Sequence, residues 1–250
     1  MGIPHSLFNF RPMQLFYSTL IEANHIILEG EEARHVQVLR KRPGDSIQVV
    51  DGQGSLYQTE IDELEKKRCI LTIKERVPNF GKPPFRLGIA IAPTKNIARL
   101  EWFLEKTTEI GITDIYPILC DRSERKQIRA DRLEKILVAA MKQSVKAFLP
   151  TLHPLQKFAA FLPEMAHWGQ TLVAHCEEGE KVGIPDIYQA GSDVLILIGP
   201  EGDFSPTEIA SVLEDQGSAI HLGPHRLRTE TAGVVACHTV QLLHQMANKA

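Results

Sequence analysis

The chain has 250 residues, 43% of them hydrophobic, and a formal net charge of -3. That is enough apolar material for the core of one large domain or two small ones. It is no bulk polycation, so any contact with nucleic acid must come from a local basic face.

Residues 1–12 fit none of the patterns that follow, and the pattern starts at Met13. From there to Val77 the signals are mostly short strands. They are expected at Gln14–Tyr17, Ile26–Leu28, Ser46–Asp51, Leu56–Ile61 and Arg68–Val77, with one short helix over Glu31–Leu39. Many short strands joined by glycine turns such as Gly52-Gln53-Gly54 point to a small β-barrel over 13–77. The Pro/Gly-dense stretch 78–84 reads as a linker.

Beyond it, strands alternate with helices over 85–250, the pattern of an α/β domain with a mostly parallel sheet. Strands are expected at Phe85–Ala92, Ile115–Leu119, Thr171–Ala174, Val194–Ile198 and Ala219–Leu222. A helix over Ile97–Ile110 buries Leu100, Phe103, Leu104 and Thr107 and stops at Gly111. The i, i+3, i+4 spacing predicts another helix over Asp131–Phe148. Ser205-Pro206-Thr207-Glu208 carries an N-cap, a proline at N1 and a capping-box glutamate, so a helix starts there. A last helix runs through Val235, His238, Thr239, Leu242 and Met246. Its stripe suits a core or a subunit interface, with His238 packed.

Cys69, Cys120, Cys176 and Cys237 form no CxxC pair and sit in apolar surroundings. They read as reduced core cysteines of a cytoplasmic protein. No apolar run approaches the ~18 residues of a membrane span, and the N-terminus carries no apolar signal stretch. No metal site is expected. His221 and His225 are four apart, but Gly223-Pro224 between them forbids a helical two-histidine face. Gly52-Gln53-Gly54 lacks the third glycine of a dinucleotide fingerprint, and there is no Walker A or HExxH sequence.

The chemistry concentrates in two glycine-bearing turns, each placed after an apolar strand and before a helix. The first is Ile198-Gly199-Pro200-Glu201-Gly202-Asp203-Phe204. The second runs from Leu222-Gly223-Pro224 through Arg226-Leu227-Arg228-Thr229-Glu230-Thr231-Ala232. Glycine at the carboxyl end of a strand lets a ligand approach exposed backbone. Glu201, between two glycines, can accept hydrogen bonds from ligand hydroxyls or from a neighbouring loop. Glu230 suits a helix N-terminus on dipole grounds alone. Arg226 and Arg228 alternate around Leu227 and suit an anionic or polarised substrate. In the N-terminal part, Arg34, His35, Arg40, Lys41 and Arg42 form a local basic stretch free of acidic residues from Ala33 to Gly44.

These two turns in series resemble the trefoil-knot (SPOUT) methyltransferases, and within them the small-subunit (16S) ribosomal RNA uracil-N3 methyltransferases. Leu15-Phe16-Tyr17, His35, Val38-Leu39-Arg40, Gly44-Asp45, Lys95, Glu101, Lys106, Glu109-Ile110-Gly111 and Lys142-Gln143-Ser144 extend the resemblance over nearly the whole chain from Met13. Lys142, Lys146, Asp203 and Gly233 depart from the usual residues, which are Glu, Arg, Gly and Ala.

The resemblance implies a PUA-like RNA-binding barrel, a parallel α/β domain with a knotted C-terminal segment, and a homodimer acting on ribosomal RNA within the small subunit. It implies S-adenosylmethionine held by Ile198, Gly199, Pro200, Glu201, Gly202, Leu222, Gly223, Leu227, Thr231 and Ala232. Arg228 and Glu230 are the candidate catalytic residues, and Arg34, His35, Arg40, Arg42 and Arg226 the candidate RNA contacts. The identity of the proton acceptor stays open. So do two other functions: a ribose 2′-O methyltransferase of the same superfamily, and a catalytically silent RNA-binding assembly factor.

Overall fold

The computed structural model describes residues 14–248; residues 1–12 and the expected start at Met13 lie outside them. The chain divides into two compact units. One runs up to Lys82 and includes Val138–Leu149; the other comprises Pro83–Leu137 and Pro150 onward. Residues 138–149 therefore group away from the rest of the expected 85–250 domain.

The first unit holds β1 (Leu15–Tyr17), β2 (Ile21–Glu22), β3 (His25–Glu29), α1 (Gly30–Val38), β4 (Ser46–Val50), β5 (Leu56–Leu64) and β6 (Arg68–Val77). Its sheet has the order β1-β4-β5-β6-β3-β2. All pairings are antiparallel except β1 with β4. The expected barrel is a curled, half-open sheet. Two register shifts between β5 and β6, at Gln58/Thr59 and Ile61/Glu63, sharpen its twist. Phe16, Ile26, Leu28, Val36, Val49 and Leu71 fill its inner face.

The second unit continues with β7 (Leu87–Ile91), α2 (Ile97–Ile110) and β8 (Asp114–Leu119). Then come α3 (Ala130–Gln143, its last residues in the first unit), β9 (Thr151–Leu152), β10 (Gln156–Lys157) and α4 (Phe158–Phe161). A 3-10 turn over Leu162–His167 leads to β11 (Gln170–Ala174), β12 (Val182–Gly183), α5 (Ile184–Ile187) and β13 (Val194–Ile198). The unit ends with α6 (Pro206–Glu214), β14 (Ser218–His221) and α7 (Thr229–Ala247). The sheet order is β10-β8-β7-β13-β11-β14-β12, with β9 also on β8, and every pairing is parallel. This is the mixed α/β class expected. β7 and β13 are buried at every position, as strands covered on both faces must be. α2 starts where Asn96 accepts a hydrogen bond from the Ala98 N–H, and it ends at Gly111, φ 130°.

The helix expected over Asp131–Phe148 stops at Gln143. Val145 turns to φ 55°, and the Lys146 N–H bonds back to the Met141 carbonyl, closing the end in a Schellman-type turn. Val145, Ala147 and Leu149 are apolar because they pack with Leu15, Val50, Leu56 and Met141, not because the helix continues. Phe148 pairs with Gln53 instead. Lys142 forms an ion pair with Glu32, fastening this segment to α1. Among the cysteines, Cys69, Cys120 and Cys237 are buried as expected, and burial pushes the Cys69 thiol up to about 11. Cys176 is exposed, because it lies just past the end of β11 rather than inside it. His238 is exposed rather than packed.

At the amino-terminal end of β8, Asp114 is 8% exposed. Thr113 Oγ1 donates to it at 2.7 Å, His153 Nε2 lies at 3.1 Å, and Arg86 at 3.4 Å. The Arg86 guanidinium lies 4.2 Å over the Trp168 ring, and His153 stacks on Tyr116 at 3.8 Å. Burial by itself would raise the Asp114 pKa. The hydrogen bonds from His153 and Thr113, with the Arg86 charge, outweigh it and hold the carboxyl below its ordinary 3.8.

A depressed carboxylate pKa stabilises the fold above the unfolded-state value, and that contribution is lost as pH falls through the folded one. Asp114→Asn is therefore expected to cost about 1–3 kcal/mol at pH 7, with the gap to wild type narrowing below pH ~4 in denaturant unfolding. A gap that stays constant with pH contradicts the assignment. A second expectation concerns Gly54, at φ 103°, where an added Cβ would stand 2.2 Å from the Phe148 ring. Gly54→Ala should lower stability by about 1–3 kcal/mol, read as an earlier urea midpoint. An unshifted midpoint would show that neither the positive φ nor the Phe148 ring opposes a side chain there.

Candidate functional site

β11, β13 and β14 run parallel in register, with Ala174 paired to Ile198 on one side and Ile220 on the other, so their carboxyl ends emerge together. Both glycine turns leave from this edge, the usual ligand edge of an open parallel sheet. An open cavity of about 690 Å³ lies there, within the range of small-molecule sites.

The first turn is held from several sides. Ser205 caps α6: its hydroxyl accepts from the Glu208 N–H at 3.3 Å, while its own N–H donates to Glu208 Oε2 at 2.8 Å. Glu208 is 5% exposed, and its other oxygen accepts from the Asp121 N–H. Asp203 takes φ 66°, a backbone region that Asp tolerates better than most residues. Its carboxylate accepts from the N–H groups of Phe204 (2.8 Å) and Cys176 (2.7 Å), joining the turn to the end of β11. Glu201 Oε1 accepts from the Lys95 N–H at 2.9 Å. This is the contact to a neighbouring loop that the sequence offered as one of its two uses. Arg125 donates to the carbonyls of Thr94 and Lys95, and Arg122 to the Gly202 carbonyl, so basic residues after β8 brace the same loops.

The second turn meets the first directly. Thr229 Oγ1 donates to the Gly199 carbonyl at 3.1 Å, and Arg226 Nη2 lies 3.4 Å from the Glu201 carbonyl. Gly223 takes φ 116° where the chain leaves β14.

Of the expected cofactor residues, Ile198, Gly199, Pro200 and Glu201 line the cavity from the first turn. Leu222, Gly223, Leu227 and Ala232 line it from the second, with Arg226 and Arg228 beside them. Gly202 and Thr231 are not on its wall; the Gly202 carbonyl is taken by Arg122. Glu230, expected beside Arg228 as a candidate catalytic group, is not on the wall either. It is 7% exposed and lies 3.6 Å from Arg99 Nε.

Arg34, Arg40 and Arg42 are in the first unit, on α1 and the loop after it. All three are exposed, and none has an ion pair among the described residues. Val38 stands 71% exposed between them. His35 is half-buried, with its ring 5.3 Å from that of Phe16, so packing claims part of its surface.

Three further wall residues were not singled out from the sequence, Arg99, His175 and Lys181, and a fourth, Cys176, was read only as a core cysteine. Burial holds the His175 imidazole below its ordinary pKa, with Lys181 adding to the effect. No periodicity or glycine signal marks these positions; they reach the wall because β11 ends there and α2 starts there. Chemically, the wall combines apolar surface and bare backbone with cations. Both Asp203 oxygens and Glu201 Oε1 accept from backbone donors, and the Lys181 ammonium donates to the His175 and Glu177 carbonyls; Arg99, Arg226 and Arg228 add guanidinium groups to the same wall. Among the described residues no group of three His, Cys, Asp or Glu side chains could hold a metal ion.

Comparison with known proteins agrees with this geometry. The family model for an RNA methyltransferase domain matches residues 81–241, and that for an RNA methyltransferase PUA domain matches 28–74. The chain is 28% identical over 242 residues to the ribosomal RNA small subunit methyltransferase E of Bacillus subtilis, covering 91% of this chain and 94% of that protein. A solved structure of a probable rRNA-methyltransferase from Porphyromonas gingivalis is similar at a TM-score of 0.87 and 38% identity, covering 94% of this chain and 99% of that one. The small subunit methyltransferase E of Neisseria gonorrhoeae, solved bound to S-adenosyl methionine, is similar at a TM-score of 0.80 and 27% identity, covering 92% and 98%. With a parallel sheet whose two glycine turns close one cavity, and with both family models matched, the chain belongs to the RNA methyltransferase family and has the SPOUT fold with a PUA domain.

Proposed function

We propose that this chain transfers a methyl group from S-adenosylmethionine to N3 of a uridine in small-subunit (16S) ribosomal RNA. The observation that carries the reading is the cavity built from both glycine turns, in a chain whose relatives over nine-tenths of its length are small-subunit rRNA methyltransferases. The wall fits the cofactor. Ile198, Leu222, Leu227 and Ala232 offer apolar surface for a flat heterocycle, and Gly199, Pro200 and Gly223 offer backbone at close approach. When bound, S-adenosylmethionine supplies an electrophilic methyl group.

The chain's own residues have two tasks. The first is to hold uracil N3 in line with that methyl, and most of the acceleration is expected from this positioning. The second is electrostatic. N3 carries a proton that must leave, so negative charge builds on the uracil carbonyl oxygens. Arg228, exposed at the cavity wall and without an ion pair among the described residues, stabilises that charge. Arg226 holds a phosphate or the base. In the first unit, Arg34, Arg40 and Arg42 take backbone phosphates, which position the RNA without reading its sequence.

The substrate is taken within the small subunit, in the cytoplasm, by a homodimer. The apolar stripe of α7 supports the dimer: Leu242 and Met246 are 43% and 60% exposed, and Trp102 of the adjoining α2 is 42% exposed. No helix among the described residues is long and apolar enough to cross a membrane.

Calorimetry is expected to show S-adenosylmethionine binding, and mass spectrometry of nucleosides from methylated ribosomal RNA to show N3-methyluridine. No heat of binding favours a silent assembly factor, and a methyl group on ribose favours 2′-O transfer. Arg228→Ala should keep cofactor affinity and lose about 10²–10³-fold in single-turnover rate. A full rate removes its charge-stabilising role. In sedimentation, Leu242→Asp should convert a dimer to monomer; a monomeric wild-type protein refutes the interface.

A further inference from the structure

Arg99 stands in the first turn of α2 and lines the cavity. Glu230 stands in the first turn of α7, which packs on α2. Arg99 Nε lies 3.6 Å from Glu230 Oε1, an ion-pair distance but too long for a hydrogen bond. The second carboxylate oxygen, Oε2, is buried with no hydrogen-bond partner among the described residues. Two packed helices thus set a buried anion behind an arginine at the cavity wall.

Glu230 is poorly placed to take a proton from a substrate. It is off the wall, and Arg99 lies against its carboxylate. Removing that cation would leave a buried charge with only the α7 N-terminus to balance it. Arg99 is well placed to meet a substrate. A guanidinium with its Nε edge toward a carboxylate keeps its terminal donors for a second partner. Its orientation is set beforehand by Glu230. Arg226 has only a long contact with a carbonyl, and Arg228 is exposed. Pre-set orientation reduces the side-chain entropy lost on gripping a ligand.

We propose that Arg99 grips an anionic oxygen of the RNA substrate, and that Glu230 is the positioning residue for Arg99 rather than the proton acceptor. The proposal rests on the methyltransferase reading. The oxygen has two sources: a phosphate beside the target nucleotide, or the uracil carbonyl that gains charge as the N3 proton leaves. Both are oxyanions that a guanidinium recognises.

The experiment measures cofactor affinity by calorimetry, and steady-state and single-turnover methyl transfer to ribosomal RNA. It uses wild type, Arg99→Gln, Arg99→Lys, Glu230→Gln and the double variant Arg99→Gln/Glu230→Gln, with melting curves to confirm folding. Arg99→Gln should lose at least about tenfold in kcat/KM while S-adenosylmethionine affinity holds, and Arg99→Lys should recover part of the loss. The double variant should be no worse than Arg99→Gln, since Glu230 acts through Arg99. The acidic limb of the pH–rate profile should persist in Glu230→Gln.

A rise in KM with a shallower salt dependence assigns the phosphate; a fall in kcat assigns the carbonyl. Wild-type rates in Arg99→Gln, or a loss of its cofactor binding, overturn the proposal. So does a Glu230→Gln variant that loses the acidic limb and adds to the Arg99→Gln defect. If wild type itself transfers no methyl group, the methyltransferase reading fails first; if wild type is active and Arg99→Gln matches it, only this proposal falls.

Discussion

The hydrogen bond from the Thr229 hydroxyl to the Gly199 carbonyl is the contact on which the cavity depends. It ties the start of α7 to the turn after β13, so the last helix begins at the sheet edge instead of running away from it. Both partners are buried, where an unmade hydrogen bond costs about 1–3 kcal/mol. Gly199 is needed at the other end of the bond: a side chain there would stand 3.0 Å from the Phe204 N–H and against its ring. One small residue and one hydroxyl therefore let two loops share a wall.

Around that contact the protein uses its acids as braces. Glu201 holds the Lys95 backbone, Asp203 holds the Cys176 and Phe204 backbone, and Glu208 holds both Ser205 and Asp121. Each carboxylate satisfies N–H groups that loops would otherwise leave unpaired. Arg99, Arg226 and Arg228 line the same cavity, so guanidinium groups gather at one site without a strongly basic chain.

Much of this was legible in the sequence, for identifiable reasons. β13 is a continuous apolar run bounded by Gly199, and α6 opens on a complete capping box, so the whole strand and the start of the helix were readable to the residue. α2 was equally clear, because its apolar face keeps helical spacing from Leu100 to Thr107 and Gly111 marks its end; the Asn96 cap came only with the structure. α3 was read too long because Val145 and Phe148 keep helical spacing after the helix has turned. β9, β10 and the 3-10 turn were missed, since two-residue pairings and a single tight turn carry no period. Eight of the ten expected cofactor residues lie on the cavity wall, because glycine turns announce themselves. Arg99 was not legible: its meeting with Glu230 depends on two helices packing, which local sequence does not encode.

The grouping of Val138–Leu149 with the first unit has a consequence for anyone exchanging modules between relatives. The Pro/Gly-rich stretch near Lys82 looks like a seam, yet the N-terminal unit completes its packing with Met141 and Ala147, and its α1 with the Lys142 ammonium. A chimera spliced at that stretch would carry an N-terminal module whose last packing layer still belonged to the other parent. A transplant that respects the physics must move two pieces of chain, not one.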